Sequence, residues 1–175
     1  MAPKKSGLPV VVIILIALGA GCIPISGILA AIAIPNFIRY QSRAKQTECK
    51  SNLKAIYVAE KAFFEDSKKY SSSFKEIGFD PMTQQQRYSY FLTDTEVLPA
   101  KAPGAAGVAA ALAQLKATGT RVEVTDTGFT AGCVGNIDND ATQDVWEIST
   151  EQRTDKSGLM AIPGTPYQLV DDLTN

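Results

Sequence analysis

Gly27-Ile-Leu-Ala-Ala-Ile-Ala-Ile-Pro-Asn-Phe37 runs straight into Ile38-Arg-Tyr-Gln-Ser-Arg-Ala-Lys-Gln46, and soon after comes Ser51-Asn-Leu-Lys-Ala-Ile-Tyr-Val-Ala-Glu-Lys-Ala-Phe-Phe64. The first eleven residues carry no charge. The rest, from Asn36 to about Ser67, places Cys49, Leu53, Ile56 and Phe63 at spacings of three, four and seven, while Lys45, Lys50, Lys54 and Lys61 fall mostly off that stripe. This period predicts an amphipathic helix with one face in a core.

Upstream, residues 8 to 34 are almost wholly apolar. As a helix this stretch would extend ~40 Å, longer than the ~30 Å hydrocarbon core, and so implies tilt or a break. It is too long for a signal-peptide core and stays apolar beyond every small-residue cleavage candidate, so it is read as a retained single-span anchor. Pro9, Gly19, Gly21, Pro24, Gly27 and Pro35 punctuate it. Kinks are expected near Pro24 and Pro35, because proline removes a backbone donor and clashes with the preceding turn. The expected organisation is residues 1–35 as an N-terminal tip and transmembrane helix, and residues 36–175 as the continuing helix and a globular domain.

Roughly 140 residues then remain for a soluble body, enough for one core. Ser71-Ser-Ser, then Phe74 to Phe79 with Gly78 and Pro81, form a connector, and Arg87-Tyr-Ser-Tyr-Phe-Leu92 suits a first strand. Residues 99 to 119 are rich in Ala, Gly and Pro, with a short surface helix expected from about Gly107 to Lys116. Arg121–Thr125 and Phe129–Val134 flank Asp126-Thr-Gly128 as a hairpin, and Asp144–Ser149 supplies the next strand. The tail from Gly158 reads mostly as loop, with Tyr167–Val170 an edge strand. No internal repeat or second globular domain is visible.

The block Gly27–Phe64 resembles the N-terminal helix of type IV pilins. The resemblance implies an α+β fold: a long N-terminal helix, membrane-spanning in its first half, packed on a small antiparallel β-sheet. It implies a structural subunit of a type IV pilus or a related secretion-type filament, built by packing of an assembly helix with Gly27, Ala30, Ala31, Ala33, Pro35 and Phe37. It further implies partners in copies of itself or other pilins, in inner-membrane assembly machinery and in the lipid bilayer. Lysines flank the apolar run at positions 4 and 5, but Arg39, Arg43, Lys45 and Lys50 outnumber them on the far side, against the positive-inside count. The resemblance overrides that count and puts the N-terminus in the bacterial cytoplasm, with the body periplasmic or in a cell-surface filament.

The chain departs from the family pattern upstream of Gly27. Aligned on Pro35 without gaps, the prepilin-peptidase site falls between Ile13 and Ile14, where a glycine is required, and the early glutamate falls at Leu18. A carboxylate buried in a filament core is tolerable only when paired, in pilins with a neighbour's free amine; here neither partner stands in place. A filament subunit assembled by a variant route and a non-polymerising, membrane-anchored accessory or binding protein both fit these residues.

Cys49 on the inward stripe and Cys133 in a strand that should pack on it are placed for a disulfide, the alternative being two buried thiols. Cys22, in Leu18-Gly-Ala-Gly-Cys22, loosely approaches a lipobox, but Gly19 stands where a larger aliphatic is usual, so it is read as a membrane-embedded cysteine. Asn136, Asp138, Asp140 and Asp144 alternate oxygen-bearing side chains as a calcium loop would. The turn glycine is replaced by Ala141 and no downstream Glu stands at EF-hand spacing, so a self-bonded Asp/Asn turn competes with Ca²⁺ as the explanation. No other cofactor is expected.

Beyond Asn36 the chain carries 15 basic and 18 acidic residues. This mild acidity argues against a dedicated nucleic-acid binder, and Arg39, Arg43, Lys45, Lys50 and Lys54 read as the solvated face of a helix. Tyr57, Phe63, Phe64, Tyr88, Tyr90, Phe91 and Trp146 read as core. Histidine is absent, and neither a Gly-rich phosphate loop nor a nucleophile beside a base is present, so no enzyme is expected.

Overall fold

A computed structural model describes residues 9–81, 86–138, 142–154, 158 and 160–172, with the side chains of 13–26 outside the description. Helix α1 covers Val10–Ser67. Its assignment continues through Gly19, Gly21, Pro24, Gly27 and Pro35, so these residues do not end the helix. At Pro35, the lost donor is followed by the side-chain amide of Asn36, which donates to Ile32 O at 3.1 Å. The chain forms two compact units divided between Gln41 and Ser42.

In the first unit the described side chains from Gly27 to Gln41 all face outward. Ile28, Leu29, Ile32, Ile34, Phe37, Ile38 and Tyr40 are each more than half exposed. Among the described residues no helix is long and apolar enough to cross a membrane. Most of the expected span, residues 13–26 with Cys22 among them, lies outside the described side chains.

In the second unit α1 runs from Ser42 to Ser67, rich in Ala, Lys, Gln and Glu, which cost a helix little side-chain freedom. It ends where Lys68 turns left-handed (φ +59°) and its N–H closes on Phe64 O at 2.8 Å, the geometry usually given to glycine. Cys49, Leu53 and Ile56 are fully buried, as the stripe predicts. Phe63 is only half-buried. The next stripe position after Ile56 is Glu60, and it too is fully buried.

The sheet is antiparallel. Strands β1 (Tyr88–Phe91), β2 (Val97–Leu98), β3 (Glu123–Val124), β4 (Phe129–Gly135), β5 (Asp144–Ser149) and β8 (Tyr167–Val170) form it in the order β2-β1-β4-β5-β8, with β3 also paired to β4. A separate hairpin, β6 (Arg153–Thr154) with β7 (Met160–Ala161), breaks the tail that the sequence reads as loop. Neither it nor β2 carries more than two residues, too short for periodicity to reveal.

Both faces of the sheet are covered. Successive side chains of β4 alternate, so Ala131 and Cys133 join Leu53, Ile56, Tyr90 and Trp146 in one core, while Val134 joins Phe91, Val145 and Leu115 in another. The second core lies under α2 (Val108–Ala117), whose Ala111 and Leu115 are buried. The expectation of a surface helix is corrected to this extent, since one side of α2 closes the second face. Gly132 makes the fit possible: a Cβ there would stand 2.8 Å from the Leu115 side chain. On the other face a Cβ at Gly135 would stand 2.6 Å from the Tyr88 ring.

Candidate functional site

Four regions singled out by sequence take distinct positions. Gly27, Ala30, Ala31, Ala33, Pro35 and Phe37 all lie exposed on α1 within the first unit. Ala33, Ile34, Asn36, Phe37 and Tyr40 line a shallow apolar hollow there. Small residues beside large exposed ones let another helix approach closely, with the large side chains flanking the contact.

Cys49 and Cys133, 84 positions apart in sequence, form a disulfide with Cα atoms 6.4 Å apart. It fastens α1 to the central strand β4, whose Cys133 is paired with Tyr90 on one side and Trp146 on the other.

Among the described residues of the Asp/Asn-rich stretch, Asp144 stands apart from Asn136 and Asp138. Asp144 starts β5 and is turned into the core, where its carboxylate accepts from Tyr88 Oη (2.7 Å), Trp146 Nε1 (2.6 Å), Gln168 Nε2 (2.9 Å) and Gln46 Nε2 (3.2 Å). Helix α1 and strands β1, β5 and β8 thus meet on one buried carboxylate. Its two oxygens accept from four protein donors. Asn136 and Asp138 remain in the turn, and Asp140 lies outside the described residues. Among the described residues no group of three or more carboxylates or cysteines is arranged to hold a metal.

The burial around Asp144 raises the Tyr88 hydroxyl far above the ordinary tyrosine range, with the adjacent carboxylate adding to the effect. Tyr90 is raised too, mainly by burial, although the donor Asn52 (2.7 Å) opposes the shift. Both phenols therefore stay protonated at any physiological pH.

The basic helix face is engaged with the protein's own body. Lys45 Nζ donates to Ile137 O at 2.5 Å and Lys54 Nζ to Gly164 O at 2.7 Å. Lys50 Nζ sits 4.3 Å from the centre of the Trp146 ring, and Lys61 Nζ 5.6 Å from that of Phe64. These lysines close loops and cover aromatic faces, while Arg39, Arg43, Lys50 and Lys54 stay exposed as a solvated face would.

Buried acids escaped the sequence reading, Glu147 and Glu60 among them. Glu147 in β5 accepts from Thr120 Oγ1 at 2.7 Å and from Arg153 Nη1 at 3.0 Å, tying the β6–β7 hairpin to the sheet. Glu60 accepts from the Ser71 backbone N–H at 3.0 Å. Glu60 was legible in principle, since it falls four residues after Ile56 and seven after Leu53 on the apolar stripe. Glu147 gave no such signal, because an acid alternating with apolar residues in a strand ordinarily faces water.

A long helix that leaves its apolar N-terminal part uncovered and clamps its second half to an antiparallel sheet by a disulfide is the architecture expected of a pilin. The family profile of type IV pilin PilA matches residues 40–109. The chain is 35% identical to the type IV major pilin protein PilA of Myxococcus xanthus (strain DK1622), over 86% of this chain and 87% of that protein. This chain belongs to the type IV pilin family.

Proposed function

We propose that the chain is a structural subunit of a type IV pilus or a related secretion-type filament, and that it assembles by packing Gly27, Ala30, Ala31, Ala33, Pro35 and Phe37 against the helices of neighbouring subunits. Likeness to a major pilin over nearly the whole chain supports the subunit role. The observation that carries the assembly surface is the exposure of Ile28, Leu29, Ile32 and Phe37 around small residues on one helix. Large apolar side chains left uncovered on this scale need a partner, in lipid before assembly and in other helices after it.

In this reading the apolar run 8–34 holds the chain in the inner membrane until assembly machinery draws it into a filament at the cell surface. The glycine absent before Ile14 and the glutamate absent at Leu18 make that route a variant one, in which no buried carboxylate has to find an amine. The role is mechanical, not catalytic.

Replacing both Ala31 and Ala33 by Leu tests the contact. The variant should fold its disulfide-linked body normally and lose filaments entirely, because the added bulk pushes helices apart. Filaments at wild-type abundance with both substitutions would sink the packing surface. Intact mass of sheared filaments reads the route: an uncleaved chain in that fraction supports variant assembly, and full-length protein confined to the inner membrane overturns the filament role.

A further inference from the structure

After α1 ends, residues 68–79 are held by two contacts to other parts of the body and one within the segment. The Ser71 N–H donates to Glu60 Oε2 (3.0 Å), the Ser71 hydroxyl donates to Glu76 Oε2 (2.5 Å), and the Phe74 N–H donates to Glu96 Oε1 (2.8 Å). Glu60 is 0% exposed, and its other oxygen, Oε1, is buried with no hydrogen-bond partner. A buried carboxylate normally has a cation or several donors. Among the described residues no lysine or arginine forms an ion pair with Glu60. The neighbouring cation, Lys61, is committed to the Tyr70 hydroxyl and the Phe64 ring. The charge bearing on Glu60 from residues 68–79 is Glu76, of the same sign. Glu96 holds the far end of that segment, and Lys68 pairs with Glu65 on the exposed helix end.

We propose that Glu60, Ser71 and Glu76 form a proton-operated latch that holds residues 68–79 against α1 when Glu60 is protonated and releases them when it ionises. A neutral carboxyl can stay in this dry site while Oε2 accepts from Ser71. An ionised one is left buried, short of donors and linked through one serine to a second carboxylate. Burial, and to a smaller extent Glu76, outweigh the Ser71 bond and push Glu60 up from 4.5 to about 7. The folded state therefore binds this proton more tightly than the unfolded chain. The latch is at full strength below about 4.5 and is lost as pH rises through about 7. The segment it frees carries Tyr70 and Phe74, both buried in the first core, so release would expose aromatic surface on the body.

The test is amide hydrogen exchange of residues 69–79 in the detergent-solubilised full chain at pH 5.5 and 8.5, corrected for chemical exchange, together with a carbon-13 titration of the Glu60 carboxyl. Protection of this segment should fall at least roughly tenfold from the lower to the higher pH, following a Glu60 midpoint near neutrality. The Glu60→Gln variant should hold the same protection at both values. Should that variant fail to fold, Glu76→Gln serves instead, lowering the midpoint and moving the loss of protection with it. A Glu60 midpoint in the ordinary glutamate range, or protection that does not change with pH in the wild-type chain, would overturn the latch. Survival of the same pH dependence in Glu60→Gln would do so as well.

Discussion

Phe37 and Leu53 are large apolar residues on the same helix, yet Phe37 is 62% exposed and Leu53 is completely buried. Acids show the reverse pattern. The described residues from Gly27 to Gln41 include none, while the body buries Glu60, Asp144 and Glu147. The first region satisfies its backbone within the helix and leaves its described side chains uncovered by the rest of the chain. The body is complete in itself, and its buried acids act as junctions between elements that hydrophobic burial alone would let slide. Apolar contact is non-directional, so a carboxylate with fixed donors adds the register that packing leaves open.

If stability resides in the body's cross-links, breaking them should unfold it without changing the first region. Replacing Cys49 and Cys133 together by Ala should cost the most, about 4.5 kcal/mol in the chain-entropy model for a loop of this length. Urea unfolding followed by fluorescence of Trp146, the chain's single tryptophan, measures the loss. Exchange protection of residues 27–41 should stay unchanged, and a matching drop there would erase the contrast between the regions.

Asp144→Ala comes next, at about 3 kcal/mol, because it strands buried donors from Tyr88, Trp146, Gln46 and Gln168. Asp144→Asn should cost less, since one oxygen still accepts. Equal losses in the two variants would mean that the carboxylate's hydrogen bonds are not what joins these strands. The smallest effect is expected on the surface: Lys116→Ala removes the pair with Asp94, in which both side chains are about half exposed, and should change stability by less than about 0.5 kcal/mol. A larger change would show that exposed charges, and not buried ones, order the body.

Much of this arrangement was legible in the residues. Phe129, Ala131 and Cys133 stand at every second position of one strand and Trp146 and Ile148 at every second position of the next, and both strands occur where that pattern puts them. Cys49 revealed itself by its place on the stripe, and Cys133 by its place in a strand that had to meet that stripe. The short strands β2, β6 and β7 were not legible, because two residues have no period and owe their pairing to neighbours brought up by the rest of the fold. Asp144 illustrates the same limit at the candidate calcium loop. Its spacing from Asp138 and Asp140 matches an oxygen-rich turn, but a one-residue step into β5 turns its carboxylate toward α1.

The sequence by itself determined the family, the fold class and the apolar stripe that the second half of α1 buries. Family and fold class followed from the resemblance of Gly27–Phe64 to type IV pilins, while the apolar run and the inward stripe rest on composition and on a period of 3.6, which act locally along the chain. Tertiary structure alone decided what the charged groups do. It made tethers of Lys45, Lys50 and Lys54, a junction of Asp144 and a proton-sensitive contact of Glu60. The energy of a charge depends on which donors, dipoles and solvent surround it, and those neighbours come from segments tens of residues away.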